Sequence, residues 1–572
     1  MEKKQQKKGK ILSFQQDTDF FLRRGAKELD RNDLLSAVQS YRKAYTGDPT
    51  DLDSCLALAD VLNRMGRFEE SNRLLLVDIS MNDPDPESYF GIANNFYRLS
   101  EFDLARENLE MYLHLEPDGY YAYDAAEFLD VLADEEALLQ SVDAPEQETA
   151  ETLTVAARAR RVAAHGDFSH AQELLELALA KAPRSPLLTT TLAAVSLFEG
   201  DVTRALELTE RMLAATPARL APYCNRLLFL LALRGNEAVA EAGAALDALD
   251  PSAQEDEDGL AALSLLQIGL GRHADATRTL QKLIQFQPYD PLALHRLGYC
   301  RYLLGDADGA RACYRRLLTI DPDDTVAQYY SNACRRRYNA HTHARYWGVE
   351  YLVPQGEALR RFQRINALFA ESEDVFASRW HEDRAARNLV VWALTLPGQR
   401  NKSALLRRIA AIGDADAERV LRDYLLRPEQ PDAARREAMA LLQHMGAKEP
   451  YHVFWNDRWI KGYVDVKLRP QKLPTAYQGL LNRMEAGLLE ACTPDAIFEA
   501  LCILRRYLVA CDGKFPRIST NQQASFAAAL ELLGRQNAGE TPDQAEIARR
   551  YRVSLLRLHN AVNKFAPFVK EP

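Results

Sequence analysis

Apolar and small residues recur at helical spacing through the first 340 residues of the chain, and the pattern itself repeats at a longer interval. In residues 291–324, Leu297, Gly298, Gly305, Ala310, Tyr314, Leu317 and Pro322 occupy places 7, 8, 15, 20, 24, 27 and 32 of a 34-residue unit. This spacing predicts two antiparallel helices. Gly298 and Ala310 are small where the helices would cross closely, Tyr314 and Leu317 fill the gap to the next pair, and Pro322 stops the second helix. The same places are filled from Thr18 onward by Gly25, Ala37, Tyr41, Ala44 and Pro49. One period later they hold Ala59, Gly66, Ser71 and Leu75, and after another Ala93, Ala105, Leu109, Tyr112 and Pro117, with Phe96 three residues after Ala93.

The register then breaks. Asp118 to Ala157 contains no lysine or arginine but many acids, among them Asp124, Glu127, Asp130 and Glu136. Residues 120–140 still space apolar groups helically, as a degenerate helix pair or a capping helix would, and 141–150 read as a linker. A second run starts near Thr152 with Ala159, Gly166, Ala171, Leu175, Ala178 and Pro183, followed by Ala193, Gly200, Ala205, Met212 and Pro217. It slips over 220–251, where Arg234-Gly235 marks a turn, and returns with Gly271, Ala276, Leu280, Leu283 and Pro288. Residues 323–337 predict an extra helix covering the apolar face of the last unit.

Units of this length and residue pattern resemble the tetratricopeptide repeat. The resemblance implies an all-α solenoid and a protein or peptide partner held in a concave groove lined by the first helix of each pair. The groove places of the third unit hold Phe90, Asn94, Tyr97 and Arg98, and those of the last unit include His295, Tyr299 and Tyr302. Aromatics with hydrogen-bonding tips suit extended or helical peptides, although each could equally pack between repeats. The carboxylate clamp of some members does not map: Asn94 alone falls at a clamp place.

Beyond the repeats, 338–384 form an aromatic-rich connector in which Pro354 precedes an amphipathic helix. Residues 385–447 contain shorter helices with a weaker, HEAT-like resemblance around Ile412-Gly413-Asp414, Leu421–Leu426 and Arg435-Arg436. In 448–475, aromatic residues flanking Asn456-Asp457 predict a small β-hairpin. The end of the 476–572 helical module, 541–565, resembles a helix-turn-helix, with Thr541 and Pro542 at the start, Ile547 and Ala548 inward, Val553 in the turn, Ser554 as a cap, and Leu558 and Val562 inward. Arg552 stands where glycine is usual. As a nucleic-acid reader this module would use Arg549, Arg550, Arg552, Arg557, His559, Asn560 and Lys564; otherwise it packs or binds protein.

The predicted organisation is a basic tail at 1–17, arrays at 18–140 and 151–337 separated by the 141–150 linker, and the later segments just given. With 47% hydrophobic and 27% charged residues the whole length can form cores, and a net charge of −10 argues against a chain-wide nucleic-acid surface. Eight cysteines without CxxC spacing read as buried thiols in a reducing compartment. His341, His343 and His381 lack a third ligand at metal spacing, and no GxSxG, HExxH or phosphate-cradling loop occurs. The expectation is an elongated cytoplasmic scaffold without membrane span, cofactor or catalytic activity. Its alternative is a DNA-binding regulator using the repeats as a sensor or dimerisation platform.

Overall fold

The computed structural model describes residues 17–82, 85–141, 148–164, 166–215, 219–249, 256–335, 347–396, 402–455, 458–462, 464, 474–510 and 516–569. The chain divides into two compact units, Met1–Gly462 and Tyr463–Pro572.

The first unit begins with three helix pairs: α1 (Thr18–Asp30) and α2 (Leu34–Gly47), α3 (Leu52–Arg64) and α4 (Phe68–Met81), and α5 (Pro86–Arg98) and α6 (Phe102–Leu115). A single helix, α7 (Ala122–Ser141), packs on α6. The second run contains α8 (Ala150–Ala164) with α9 (Phe168–Lys181), α10 (Pro186–Glu199) with α11 (Val202–Ala215), and α12 (Leu220–Arg234) with α13 (Val239–Asp247). It ends with α14 (Glu257–Gly269) and α15 (His273–Phe286), α16 (Pro291–Leu303) and α17 (Ala307–Ile320), and the extra helix α18 (Thr325–Arg335).

Local chemistry sets these elements. Asp33, Asp51, Asp85, Asp167, Asp290 and Asp306 each accept a hydrogen bond from the backbone N–H three residues on, which caps the next helix. The turn inside each pair needs a left-handed residue, supplied at the same place by Asn32, Gly66 and Ser100, then Gly166 and Gly200, then Gly271 and Gly305. Close crossing demands small residues: a Cβ on Gly298 would stand 3.0 Å from the Tyr314 ring, and one on Gly25 would collide with Tyr41. Ala310, Tyr314 and Leu317 are buried in one cluster, each large side chain contributing about 2 kcal/mol through lost apolar exposure.

The later helices are α19 (Gln355–Ala370), α20 (Glu373–Glu382), α21 (Arg384–Thr395), α22 (Lys402–Ile412), α23 (Ala415–Leu425) and α24 (Asp432–His444). Strands β1 (Tyr451–Trp455) and β2 (Arg458–Gly462) pair antiparallel, with Trp455 opposite Arg458 and Tyr451 opposite Gly462, as the hairpin reading expects; Asn456-Asp457 itself is outside the described residues. The segment 338–384 thus includes two helices. This part returns to the first array: α23 packs against α4, and Leu426 joins the cluster of Leu75, Leu76 and Phe96. Trp459 packs on Phe96 and donates to the Leu426 carbonyl at 3.1 Å. The two arrays also meet directly, because Ile320 at the end of α17 enters the cluster of Val38, Tyr41, Leu58 and Leu62.

The second unit holds α25 (Thr475–Ala491), α26 (Pro494–Ala510), α27 (Thr520–Asn537), α28 (Gln544–Arg550) and α29 (Leu555–Phe565) around one core. The start of α28 differs from expectation: Asp543, not Thr541, is the cap, because its carboxylate accepts from the Ala545 N–H at 2.8 Å. Ser554 caps α29 as expected, and Ile547, Ala548 and Leu558 are buried. Among the described residues no helix is long and apolar enough to cross a membrane.

Candidate functional site

A cleft of about 800 Å³ opens where the first array faces the α15–α16 connection. From the first array come Asn63 and Arg64 at the end of α3, Arg67 and Phe68 at the α3–α4 turn, and Asn94 and Arg98 on α5. Phe286, Tyr289 and Asp290 form the opposite wall. Asn63, Arg64, Asn94 and Arg98 occupy groove places of the second and third units, so the repeat period itself brings them to one face.

The floor is held by polar contacts between helices. Asn63 donates to Asn95 at 2.6 Å, Asn95 to Ser71 at 2.9 Å, and Ser71 to the Ala59 carbonyl at 2.9 Å, which ties α3, α4 and α5 together. Glu70 is bound by Arg42 and Arg67, each at 2.9 Å. Burial raises its carboxyl pKa, but the Arg67 and Arg42 guanidinium groups win and bring it down to about 2, so this wall carries a fixed anion inside a basic rim. Arg98 is exposed, its guanidinium over the Phe68 ring at 5.6 Å. Asn94 donates to the Phe90 carbonyl at 3.2 Å. Arg67, Phe68, Phe286 and Tyr289 were not among the residues singled out from sequence, because they sit in turns and on the facing array, where the groove periodicity gives no signal.

The other expected groove residues have different surroundings. Phe90 stacks on Tyr121 at 4.6 Å, and Tyr97 meets Phe128 edge-on and Phe102 at a tilt, so both rings pack between helices. His295 and Tyr302 are buried, 0% and 2% exposed, and Tyr299 is half-buried between His273 and Trp347. A segment of the same chain, residues 347–352, covers them. Burial drives the His295 imidazole pKa down to about 4.

In the second unit, Arg549, Arg552, Arg557, His559, Asn560 and Lys564 are exposed. Arg550 is instead committed to two acids, the buried Glu531 at 2.6 Å and Glu546 at 2.8 Å. The Lys564 ammonium lies over the Phe526 ring at 4.8 Å. Arg552 has φ +54°, the left-handed turn that its place demands. The first turn of α29 exposes Leu555 and Leu556, 54% and 71%.

Among the described residues no group of three His, Cys, Asp or Glu could hold a metal ion. His341 and His343 lie outside them, and His381 faces Asp414 at 3.5 Å. Cys55, Cys224, Cys300, Cys313, Cys334 and Cys502 are buried, and burial pushes the Cys224, Cys300 and Cys334 thiols up to about 12; Cys511 is outside the described residues.

Comparison with known proteins agrees with the repeat architecture. Residues 291–324 match the family model described as tetratricopeptide repeat, and the helix pairs before them keep its period. The chain is a tetratricopeptide-repeat protein. It is 26% identical over 318 residues to the TPR repeat-containing protein YvcD of Bacillus subtilis (strain 168), a match covering 55% of this chain and 64% of that relative, less than two thirds of its length. Among solved structures it is similar to a thermophilic TPR protein of Thermus thermophilus, at 23% identity, 31% and 95% coverage and a TM-score of 0.28. Another is the APC/C hetero-tetramer Cut9-Hcn1, at 13% identity, 94% and 96% coverage and a TM-score of 0.26.

Proposed function

We propose that the protein is a binding scaffold whose open cleft takes an extended or helical segment of a protein partner. The observation that carries this reading is the convergence of Asn63, Arg64, Asn94 and Arg98, all at groove places, on one cleft of about 800 Å³ with Phe286 and Tyr289 opposite. Aromatic walls offer anchoring area at low entropic cost, while arginine and asparagine supply directed hydrogen bonds to a peptide backbone or acidic side chain.

A photo-crosslinking residue placed at Asn94, and separately at the exposed Glu173 as control, tests the reading. Partner adducts should form at Asn94, not at Glu173, and Arg98→Glu should abolish them. Equal adducts at both positions would remove the cleft from consideration.

Nucleic acid is the second reading, favoured by exposed Arg552, Arg557, His559 and Asn560 around the turn before α29 and along it. The exposed Leu555 and Leu556 in the same first turn are better suited to a protein surface than to base edges. Titration of the full chain into generic duplex DNA decides between them. Binding that falls steeply with salt and is lost in Arg552→Ala and Arg557→Ala supports the regulator, since phosphate contacts release counterions. No binding at low salt leaves the protein scaffold.

A further inference from the structure

The groove of the last helix pair is filled by the chain itself. Trp347 lies flat on Tyr302, ring centroids 4.5 Å apart at 12°, and meets Tyr330 in a T-shaped contact at 4.6 Å. From there the backbone is read by side chains on α16 and α18. The Gly348 carbonyl accepts from His295 Nε2 at 3.0 Å, the Val349 carbonyl from Arg296 Nε at 3.3 Å, and the Leu352 carbonyl from the Tyr330 hydroxyl at 2.7 Å. His295 is held in that tautomer by the Tyr314 hydroxyl, which donates to Nδ1 at 3.0 Å. Tyr351 donates to Asp324 at 2.5 Å. Glu350 and Leu352 point outward, 61% exposed at the Glu350 side chain and 60% at Leu352.

This is the chemistry of peptide recognition. One aromatic anchor, Trp347, is buried at 4% exposure, three main-chain carbonyls are paired irrespective of sequence, and a tyrosine four residues after the anchor is held by Asp324. It uses His295 and Tyr302, at the groove places of the repeat. The side-chain donors from the two helices pair with main-chain carbonyls, so these contacts do not depend on which side chains the segment carries at Gly348, Val349 and Leu352.

We propose that α16 and α18 form a second peptide site, of which Trp347–Leu352 is the resident ligand, and that the site accepts in trans a partner segment with an aromatic residue and, four residues after it, a tyrosine. The inference rests on the scaffold reading but concerns a groove separate from the open cleft. The resident segment sets the threshold: a partner binds only by out-competing it, or when it is weakened.

The test is fluorescence anisotropy of a labelled peptide with the sequence of residues 347–353 against the full chain. Trp347→Ala, which weakens the resident segment, should bind the peptide at least tenfold more tightly than the unsubstituted chain. Tyr351→Phe removes one hydrogen bond and leaves the anchor in place; it should give a smaller gain and serves if Trp347→Ala does not fold by circular dichroism. His295→Gln added to whichever variant folds should reverse the gain. Arg98→Glu should leave peptide binding unchanged, so that failure of the open cleft and failure of this site are told apart. Equal affinity in all variants would overturn the proposal and make 347–352 a permanent part of the core. A concentration-dependent dimer in Trp347→Ala by light scattering, without peptide binding, would overturn it in favour of a second copy as occupant.

Discussion

Arg422 donates a hydrogen bond to the Ser80 hydroxyl, 342 residues earlier in the chain. Its guanidinium, 1% exposed at the side chain, also donates to Glu418 at 2.8 Å and to the Lys448 carbonyl at 2.8 Å, and lies over the Tyr451 ring at 5.1 Å. One buried cation therefore joins α4, α23 and the start of the hairpin. Arg422→Met keeps most of the volume but leaves these acceptors unpaired, and should destabilise the first unit by about 2–4 kcal/mol. Denaturant unfolding measures it; an unchanged midpoint would mean that the contact with α4 carries no net stability.

Ala310 sits fully buried where α16 and α17 cross. Ala310→Leu forces three further carbons into that crossing and should cost about 1–3 kcal/mol through overpacking. A melting temperature equal to that of the unsubstituted chain would contradict the close approach of the pair.

Ser100 adopts φ +60° at the place where Gly66 and Gly305 stand in other pairs. The left-handed conformation costs a residue with a Cβ about 1–2 kcal/mol, while glycine adds about 0.5–1 kcal/mol of unfolded-state entropy. Ser100→Gly should therefore stabilise the first array, by up to about 1 kcal/mol. A lower melting temperature would point to a role for the hydroxyl that the turn geometry does not require.

His295 is neutral in the fold because burial lowers its imidazole to about 4, with the Arg296 charge adding to the effect and the Gly348 carbonyl opposing it. Tyr314, Tyr330 and Tyr351 are the other titratable groups around the ring. The folded value lies below the unfolded one of about 6.5, so the neutral ring costs nothing above that pH. As pH falls toward 4 the unfolded chain takes the proton first and stability is lost. Between pH 7 and 5 the unsubstituted chain should lose more thermal stability than His295→Gln; parallel losses would show that another group dominates. The buried His452, lowered to about 3, acts in the same direction in both proteins.

The repeats were legible because they are local. Gly298 against Tyr314, Asp306 capping α17 and the left-handed Gly305 each involve residues within one 34-residue unit, and the period copies them along the chain. Asn94 and Arg98 could be placed on a groove for the same reason. Their partners across the cleft, Phe286 and Tyr289, could not, since no spacing links them. The pattern also could not tell that Phe90 and Tyr97 are used in packing, because a ring at a groove place satisfies either role.

What the sequence by itself determined is the helix-pair period, its small and aromatic crossing positions, the hairpin around Asn456-Asp457 and the left-handed demand at Arg552. Each follows from steric and hydrogen-bonding rules acting over a few residues. Only the tertiary structure decided that Ile320 meets Val38 and Tyr41, that Arg422 reaches Ser80, that Arg550 belongs to Glu531, and that Trp347 fills the groove beside Tyr302. The first two depend on how the curvature of many pairs accumulates along the array, and small rotations per pair are not written at any single position; the other two join segments whose packing no period links.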